Sequence, residues 1–198
     1  APEASSSGIK RHKYTGKIPY SAEVFYSTCQ DYTRQTQWDK RHGATKQLGD
    51  LYFEGEERDK EPKNSISWYY KRSPFPLANR EFLSQAATVH DKVDGLDRWM
   101  TLVKSFDHPD FPPEPKNVRA EVIYFGMIYN QSPTDPNECN YTIVTELDFK
   151  GWVPTAVLNW VIRFVPDEFE KNAIVGCRMT VELRASSATN EGTSKNKN

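Results

Sequence analysis

The chain has 198 residues, a length at which one domain with a single hydrophobic core is usual. Aromatic residues make up 13% of the chain, which supplies enough apolar area for a core and excludes wholesale disorder. The 26 lysines and arginines nearly balance the 27 aspartates and glutamates. The net charge of −1 gives no overall attraction to nucleic acid, and no stretch approaches the roughly 18–20 apolar residues that span a bilayer.

The two ends of the chain are polar, and we expect them to be disordered tails. Residues 1–8 are rich in serine, and residues 186–198 contain no apolar residue larger than alanine. One domain is therefore predicted over residues 9–185. The start has no apolar signal-peptide segment and no initiator methionine, so we expect an excerpt of a longer chain. Three widely spaced cysteines without a C-x-x-C pair predict free thiols and a cytoplasmic, reducing environment.

The first half of the domain is predicted to contain strands and one helix. Alternating residues indicate a strand over 9–18, and Ser21 is a candidate cap for a helix that runs to about residue 35. A strand over 66–72 is ended by a Ser-Pro-Phe-Pro turn, since proline removes backbone donors. Two more strands, over 80–90 and 96–106, are joined through Asp94-Gly95, a hairpin signal.

The second half changes from strands to one long helix. Four prolines predict a stiff loop over 107–115 that carries Phe111, and strands follow over 118–129 and 140–149. A helix is predicted over 152–183, with Pro166 inside it as a kink or hinge. Its first half is apolar nearly all the way round, which indicates apolar contacts on two sides; the residues concerned include Val157, Trp160, Val161 and Phe164.

One set of strand faces contains only aromatic, small or hydroxyl-bearing residues and no charge. Alternation assigns ten of these residues to the interior: Tyr69, Ser84, Ala86, Trp99, Thr101, Val103, Val122, Tyr124, Tyr141 and Ile143. A close-packed core favours more branched aliphatic side chains, so small residues opposite large aromatics predict a hollow. Its mildly polar wall suits a buried ligand with an apolar body and a polar end. An ordinary core filled by the long helix is the alternative, and alternation alone does not separate the two.

Four segments in order resemble the START family of lipid-binding domains, with the phosphatidylcholine-transfer branch as the nearest match. The first is WYYKRSPFPLANREF at residues 68–82, with its Pro-aromatic-Pro turn and Asn-Arg-acid-aromatic box. The second is LDFKGWVP at 147–154, followed by the apolar helix and Pro166. The third and fourth are VRAE at 118–121 and the segment from Tyr32 to Asp39. The resemblance as a whole covers roughly residues 9–185.

The resemblance implies an α+β helix-grip fold, in which a curved antiparallel sheet wraps around the long C-terminal helix and encloses a lipid. It implies no cofactor, no metal and no reaction. Family members normally carry a helix and two strands ahead of the first strand seen in this chain. Several branches also place an inward arginine where this chain has Ala86, and the sterol branch has an acid where it has Ser67. A lipid phosphate would therefore lack its usual bidentate partner.

Two headgroup interpretations stay open on these residues. The family's choline site has a tryptophan that matches Trp99, and with Tyr69, Tyr124 and Tyr141 it would hold a quaternary ammonium by cation–π contact. A neutral lipid hydroxyl that bonds Ser84, Thr101 or a tyrosine fits equally well.

The sequence therefore predicts a monomer that takes one phospholipid, sterol or other lipid and transfers it between membranes. Phe111 and the helix hinge near Pro166 are the candidate gate, and the absence of a basic cluster at these apolar tips predicts brief, weakly salt-dependent membrane contact. A lipid-sensing module of a larger protein is one alternative. A cyclase-type enzyme of the same fold is the other, with His90 as its candidate inward acid or base.

Overall fold

The structure is a computed structural model, and it describes residues 9–50 and 64–195. In order, the described residues form β1 (His12–Ile18), α1 (Ala22–Gln30), α2 (Gln35–Trp38), β2 (His42–Asp50), β3 (Asn64–Lys71), β4 (Asn79–Val93), β5 (Leu96–Ser105), β6 (Asn117–Arg119), β7 (Glu121–Gln131), β8 (Cys139–Asp148) and α3 (Thr155–Lys195). The tail predicted at residues 1–8 lies outside the described residues, as do the side chains of Trp160 and Phe164.

Seven of the described strands form one continuous antiparallel sheet in the order β1-β8-β7-β5-β4-β3-β2. The short β6 adds to it by pairing in parallel with the start of β4. The predicted hairpin between β4 and β5 is present. Asp94 and Gly95 have φ of 52° and 80°, the positive pair that a two-residue turn with the twist of the flanking strands requires.

Helix α3 lies across one face of this sheet, and α1 packs beside it. Ser21 caps α1 as predicted, because its hydroxyl accepts a hydrogen bond from the amide of Val24. Phe25 of α1 is fully buried, with its ring centroid 5.1 Å from that of Tyr129 in β7. The hydroxyls of Thr28 and Thr180 meet at 2.9 Å and join α1 to α3. The predicted α+β helix-grip architecture is confirmed. None of the described helices is long and apolar enough to cross a membrane.

Three elements differ from the sequence prediction, each for a local reason. Strand β2 was missed because its two glycines and two register shifts break the alternation that marks a strand. Helix α1 ends at Gln30, five residues early, because the carboxylate of Asp31 accepts from the hydroxyl of Thr33 and the amide of Arg34 and so competes with the helix.

The C-terminal helix is also longer than predicted. It continues through Lys195, so residues 186–195 are helical where a tail was expected. Once a helix is nucleated, each added residue gains a backbone hydrogen bond at low entropic cost, and no apolar residue is needed for the extension.

Candidate functional site: a cavity between sheet and helix

Helix α3 does not lie flush against the sheet, and a cavity of about 400 Å³ remains between them. This volume lies within the range of roughly 300–1,000 Å³ that small-molecule sites occupy. Most of the wall is apolar, supplied by the sheet, by the segment that leads into α3 and by the first half of α3. Its members include Phe82, Val103, Phe125, Met127, Ile143, Leu147, Val153, Val157, Val161, Val165 and Phe169.

The wall reaches solvent near the start of α3. Pro74 and Leu158 both line the cavity and are exposed at the surface. At the other end the wall residues Met127, Tyr129 and Tyr141 are buried, and α1 packs behind them. The cavity is therefore closed by α1 and opens between the loop that follows β3 and the N-terminal turns of α3.

The structure brings most of the predicted interior residues together on this wall. The hinge candidate Pro166 lines the cavity, and so do ten of the predicted lipid-binding residues: Tyr69, Ser84, Ala86, Thr101, Val103, Val122, Tyr141, Ile143, Val157 and Val161. Ser67 also lines it, so the positions that are charged in other branches do face the interior and are neutral and small in this chain.

Tyr124 does not face the cavity, contrary to its predicted parity. The β7–β8 register shifts between Val122 and Tyr124, so one extra residue in β7 reverses which side chains face inward beyond that point. Phe125, Met127 and Tyr129 line the cavity instead. The ring of Tyr124 is 40% exposed and lies 5.7 Å from the Arg11 guanidinium on the outer face.

Trp99 has the predicted parity but is not among the described residues that line the cavity. Its ring stacks on Tyr26 of α1 at 5.8 Å and on His90 at 4.3 Å. Helix α1 therefore covers this part of the sheet, and the hollow ends before it. With Trp99 and Tyr124 both outside, the aromatic cage proposed for a quaternary ammonium does not assemble.

His90 is also outside the cavity. It is exposed near the β4–β5 hairpin, where its Nε2 lies 2.9 Å from an Asp97 carboxylate oxygen. Alternation fails to predict this because an inward parity places a side chain at the ligand only where the sheet is covered by the cavity.

Phe111 is not among the described wall residues either. Its carbonyl accepts from Nη2 of Arg119 at 3.2 Å, and Arg119 pairs through Nε with Glu81 at 2.9 Å. Glu81 alternates along β4 with the wall residues Arg80 and Phe82, so it projects to the opposite face of the sheet. The proline-rich loop is thus tied to the outer face, away from the hollow.

The Asn-Arg-acid-aromatic box proves to be a set of structural contacts. The side-chain oxygen of Asn79 accepts from the Ser73 amide at 3.2 Å, which closes the turn between β3 and β4. Arg80 donates to the carbonyls of Phe149 and Lys150 at 3.0 and 3.3 Å and fixes the segment that leads into α3. The box therefore positions the two segments that border the opening.

The buried carboxylate of Glu81 organises the outer side of the same box. It accepts from the Trp68 indole at 3.1 Å and the Glu114 amide at 3.0 Å, in addition to Arg119. A fully buried carboxylate requires several charge-assisted partners of this kind. Glu81 thereby holds β3, β4 and the proline-rich loop together.

A charged cluster on the cavity wall was missed by sequence reasoning. We call it the basic corner, and it consists of Asp39, Arg41, His42, Lys71 and Arg72, all of which line the cavity. Lys40-Arg41-His42 was visible in the sequence but is typical of a solvated loop. Because β2 itself was missed, nothing in the pattern placed this cluster at the hollow.

Contacts within the basic corner hold its charges in place. Nζ of Lys71 lies 2.5 Å from Oδ2 of Asp39, and the Arg41 amide donates to Oδ1 of Asp39 at 3.0 Å. Burial opposes ionisation of Asp39, but the charge and hydrogen bond of Lys71 outweigh it and lower the pKa of the carboxyl. Burial also lowers the pKa of Lys71, and Asp39 counteracts this.

His42 is only 2% exposed, and its ring stacks on Tyr69 at 5.9 Å. Burial, followed by the positive charge of Lys71, lowers the pKa of the imidazole from 6.5 to about 4, so the ring is neutral at physiological pH. Its Nε2 bonds to the Thr45 hydroxyl, whereas Nδ1 has no hydrogen-bond partner among the described residues.

The closed end of the cavity carries a smaller polar group. Nε2 of Gln30 donates to the Thr101 hydroxyl at 3.0 Å, and the hydroxyl of Tyr32 donates to Oε1 of Gln30 at 3.3 Å. Burial raises the pKa of the Cys29 thiol and raises that of Tyr32 to about 12. Both groups are therefore neutral, and this end offers hydrogen bonds without charge.

A curved sheet that grips a long helix over an internal cavity defines the helix-grip class of ligand-binding domains. The START domain family model matches residues 7–171 of this chain, and the chain belongs to that family. START domain-containing protein 10 of Homo sapiens and of Mus musculus are each 25% identical to it over 156 residues. The match covers 79% of this chain and 48% of each relative, so the chain spans about half the length of these proteins.

Solved structures share the fold. The crystal structure of human STARD10 superposes with a TM-score of 0.76 at 22% identity, over 92% of this chain and 69% of that one. Human StAR-related lipid transfer protein 5 has a TM-score of 0.68 at 16% identity and covers 88% of this chain and 76% of its own. Over a shorter stretch of 65 residues, or 33% of this chain and 23% of the relative, the mitochondrial steroidogenic acute regulatory protein of Danio rerio is 38% identical.

Proposed function

We propose that the chain binds one lipid in the cavity and transfers it between membranes. The observation that carries this proposal is the hollow of about 400 Å³ with a mainly apolar wall, in a chain of the START family. Burial of acyl or sterol carbons in such a wall contributes about 0.8 kcal/mol per methylene. Human StAR-related lipid transfer protein 5, which shares the fold, is a lipid transfer protein by name.

Filling the hollow tests this proposal. Ala86 lies on the wall, and Val89, three residues along the same strand, is 48% exposed on the outer face. In an assay of fluorescent lipid transfer between vesicles, Ala86→Trp abolishes transfer because its indole occupies the ligand space. Val89→Trp is the matched control and leaves transfer intact. Equal transfer by both variants contradicts the proposal, as does native mass spectrometry in which the protein carries no lipid.

We infer that the opening meets the membrane through two exposed aromatic side chains. Phe75 is 98% exposed and lies beside the wall residue Pro74, and Trp152 is 74% exposed and lies beside the wall residue Val153. They take the role that the sequence assigned to Phe111. Apolar insertion is weakly screened, so vesicle binding should persist at high salt. Phe75→Ser with Trp152→Ser should weaken vesicle binding without loss of the bound lipid.

The proposal assigns no reaction to the cavity and places the chain in the cytoplasm as a monomer. Exclusion of His90 from the hollow supports the absence of catalysis, and three free cysteines suit a reducing compartment. A lipid recovered from the protein by extraction should have the same mass before and after incubation. A change in the mass of the extracted lipid would support the enzyme alternative instead.

A further inference from the structure

The basic corner makes the cavity wall electrostatically unbalanced. Its cations are Arg41, Lys71 and Arg72, and Asp39 is its carboxylate. Glu168 of α3 lies 3.5 Å from Nε of Arg41, so even with Glu168 included the cations outnumber the carboxylates three to two. The excess comes from Arg72, which is exposed to solvent, so it costs little when unpaired and attracts an anion to the corner.

One hydrogen-bonding group in the corner is unused, and a second is held only by a long ion pair. Nδ1 of the buried His42 has no hydrogen-bond partner among the described residues. Nε of Arg41 makes no hydrogen bond there but lies 3.5 Å from the Glu168 carboxylate, and both Arg41 and His42 line the cavity. A guanidinium binds carboxylate and phosphate oxygens in a fixed, often bidentate geometry. A neutral imidazole can add one hydrogen bond to the same oxygens through a protonated Nδ1.

The observed geometry disfavours the two headgroup interpretations open from sequence. Trp99 and Tyr124 lie outside the hollow, so no aromatic cage forms for a quaternary ammonium. A neutral hydroxyl could bond at the Thr101 end, but it would make no use of the positive charge of the basic corner or of the free Nδ1 of His42.

We propose that the basic corner binds the oxyanion of a lipid headgroup, phosphate or carboxylate, through Arg41, His42 and Lys71. The proposal rests on the lipid-binding function given above and specifies its ligand. In this chain the cations at the β2–β3 edge would take the place of the inward arginine that other branches carry at the position of Ala86. The acyl chain would then occupy the apolar part of the cavity beneath α3.

Extraction of labelled lipids from vesicles tests this assignment. Neutral phosphatidylcholine vesicles carry a trace of one fluorescent probe: phosphatidic acid, a fatty acid, or a diacylglycerol with the same acyl chains. We expect extraction of at least one oxyanion probe to exceed that of diacylglycerol by about tenfold, as hydrogen bonds to charged groups imply. The preferred oxyanion probe then identifies the source of the oxyanion.

Arg41→Gln should reduce extraction of the oxyanion probe about tenfold and leave diacylglycerol extraction unchanged. Arg98→Gln is the matched control, because Arg98 pairs with Asp91 and is not among the described wall residues. Equal extraction of charged and neutral probes, or no effect of Arg41→Gln, overturns the assignment while lipid binding stands. No extraction of any probe also overturns the assignment, and it contradicts the proposed function itself if native mass spectrometry finds no bound lipid either.

A second measurement uses the unmodified protein and therefore needs no substitution. In the unmodified protein, an oxyanion beside His42 raises the pKa of its imidazole, which NMR detects as a shifted titration of the ring signals. Phosphatidic acid or fatty acid should produce this shift, and diacylglycerol should not. An unchanged His42 titration with bound oxyanion lipid overturns the assignment.

Discussion

The hydroxyl of Tyr141 in β8 donates a hydrogen bond to Oε2 of Glu170 in α3, across 2.8 Å. Tyr141 lines the cavity, so this bond fastens the helix to the sheet beside the ligand space. Burial, reinforced by the neighbouring Glu170, raises the pKa of the Tyr141 phenol, which therefore remains a donor at every physiological pH. Glu170 follows Pro166 in α3, so this seam between α3 and β8 must part if the whole of α3 moves to admit a lipid, and not if only the half before Pro166 moves.

Loss of this bond should loosen α3. We expect Tyr141→Phe to lower the free energy of unfolding by about 1–2 kcal/mol, since a hydrogen bond to a charged acceptor is removed. Lipid exchange should become faster, because α3 separates from β8 more readily. Urea denaturation and stopped-flow release of a fluorescent lipid measure the two effects. Slower release together with lower stability would contradict the role of this seam in opening.

Gly16 of β1 lies against the contact between Tyr141 and Glu170 and should not tolerate a side chain. A Cβ at Gly16 would lie 2.5 Å from the Tyr141 hydroxyl and 2.6 Å from the Glu170 carboxylate. Glycine-to-alanine substitutions at compatible sites usually stabilise by about 0.4–1 kcal/mol through the unfolded chain. Gly16→Ala should instead destabilise and should speed lipid release as Tyr141→Phe does. The matched control is Gly49→Ala in β2, where no atom of the described residues lies within 4 Å of the added Cβ. This variant should be neutral or stabilising in the same denaturation assay.

Gly176 allows α3 to approach α1 and α2 closely. A Cβ there would lie 2.8 Å from Cγ2 of Thr28 and 2.9 Å from the Trp38 ring. Alanine gains helix propensity of about 1 kcal/mol over glycine, but overpacking a buried contact costs about 1–3 kcal/mol. We expect Gly176→Ala to be destabilising overall by thermal denaturation. Val175→Ala, at a neighbouring residue that is 38% exposed, should change the midpoint little. A stabilised Gly176→Ala protein would show that α3 can move away from α1 and α2 at no cost.

Neutralising Glu81 should release the proline-rich loop. Glu81→Gln leaves Arg119 without its charged partner and weakens the bonds to Trp68 and the loop, so a loss of about 2 kcal/mol or more is expected. Hydrogen exchange should accelerate over residues 107–117. Glu121→Gln serves as the control because it breaks only an exposed pair with Lys150, worth about 0–1 kcal/mol. Unchanged exchange in Glu81→Gln would mean that the loop is held by other contacts.

Sequence periodicity predicted the fold because hairpin turns and strand alternation are local properties. Ser21, Asp94 and the wall residues Ser84 and Ala86 were all placed correctly by signals within a few residues of them. The site was predicted less well where a non-local event decided the outcome. The shift of register at Tyr124 depends on the partner strand, and the covering of Trp99 depends on where α1 docks.

The basic corner illustrates the same limit. His42 and Lys71 come from β2 and β3, and Arg41 immediately precedes β2, whose glycines and charges keep its pattern from predicting a strand. A charge run in sequence is usually solvated, so its presence on a cavity wall could be known only from the pairing of β2 with β3.

His42 should make stability depend on pH in a defined window. Burial, followed by the charge of Lys71, lowers the pKa of its imidazole from 6.5 to about 4 in the folded protein. Between these values the unfolded chain binds more protons than the folded one, so stability falls as pH drops from 6.5 towards 4, by at most about 1.4 kcal/mol per pH unit. The lowered pKa of Asp39 acts outside this window, because its contribution is lost only below its ordinary value of 3.8.

Urea denaturation at several pH values between 6.5 and 4.5 measures this slope. His42→Asn should flatten it, because the variant has no imidazole to protonate on unfolding. A bound oxyanion lipid should also flatten the slope, because it stabilises the protonated ring and brings the folded pKa of His42 back towards that of the unfolded chain. A slope that survives in His42→Asn would assign the acid sensitivity to other groups, and one that persists with bound phosphatidic acid would place its phosphate away from His42.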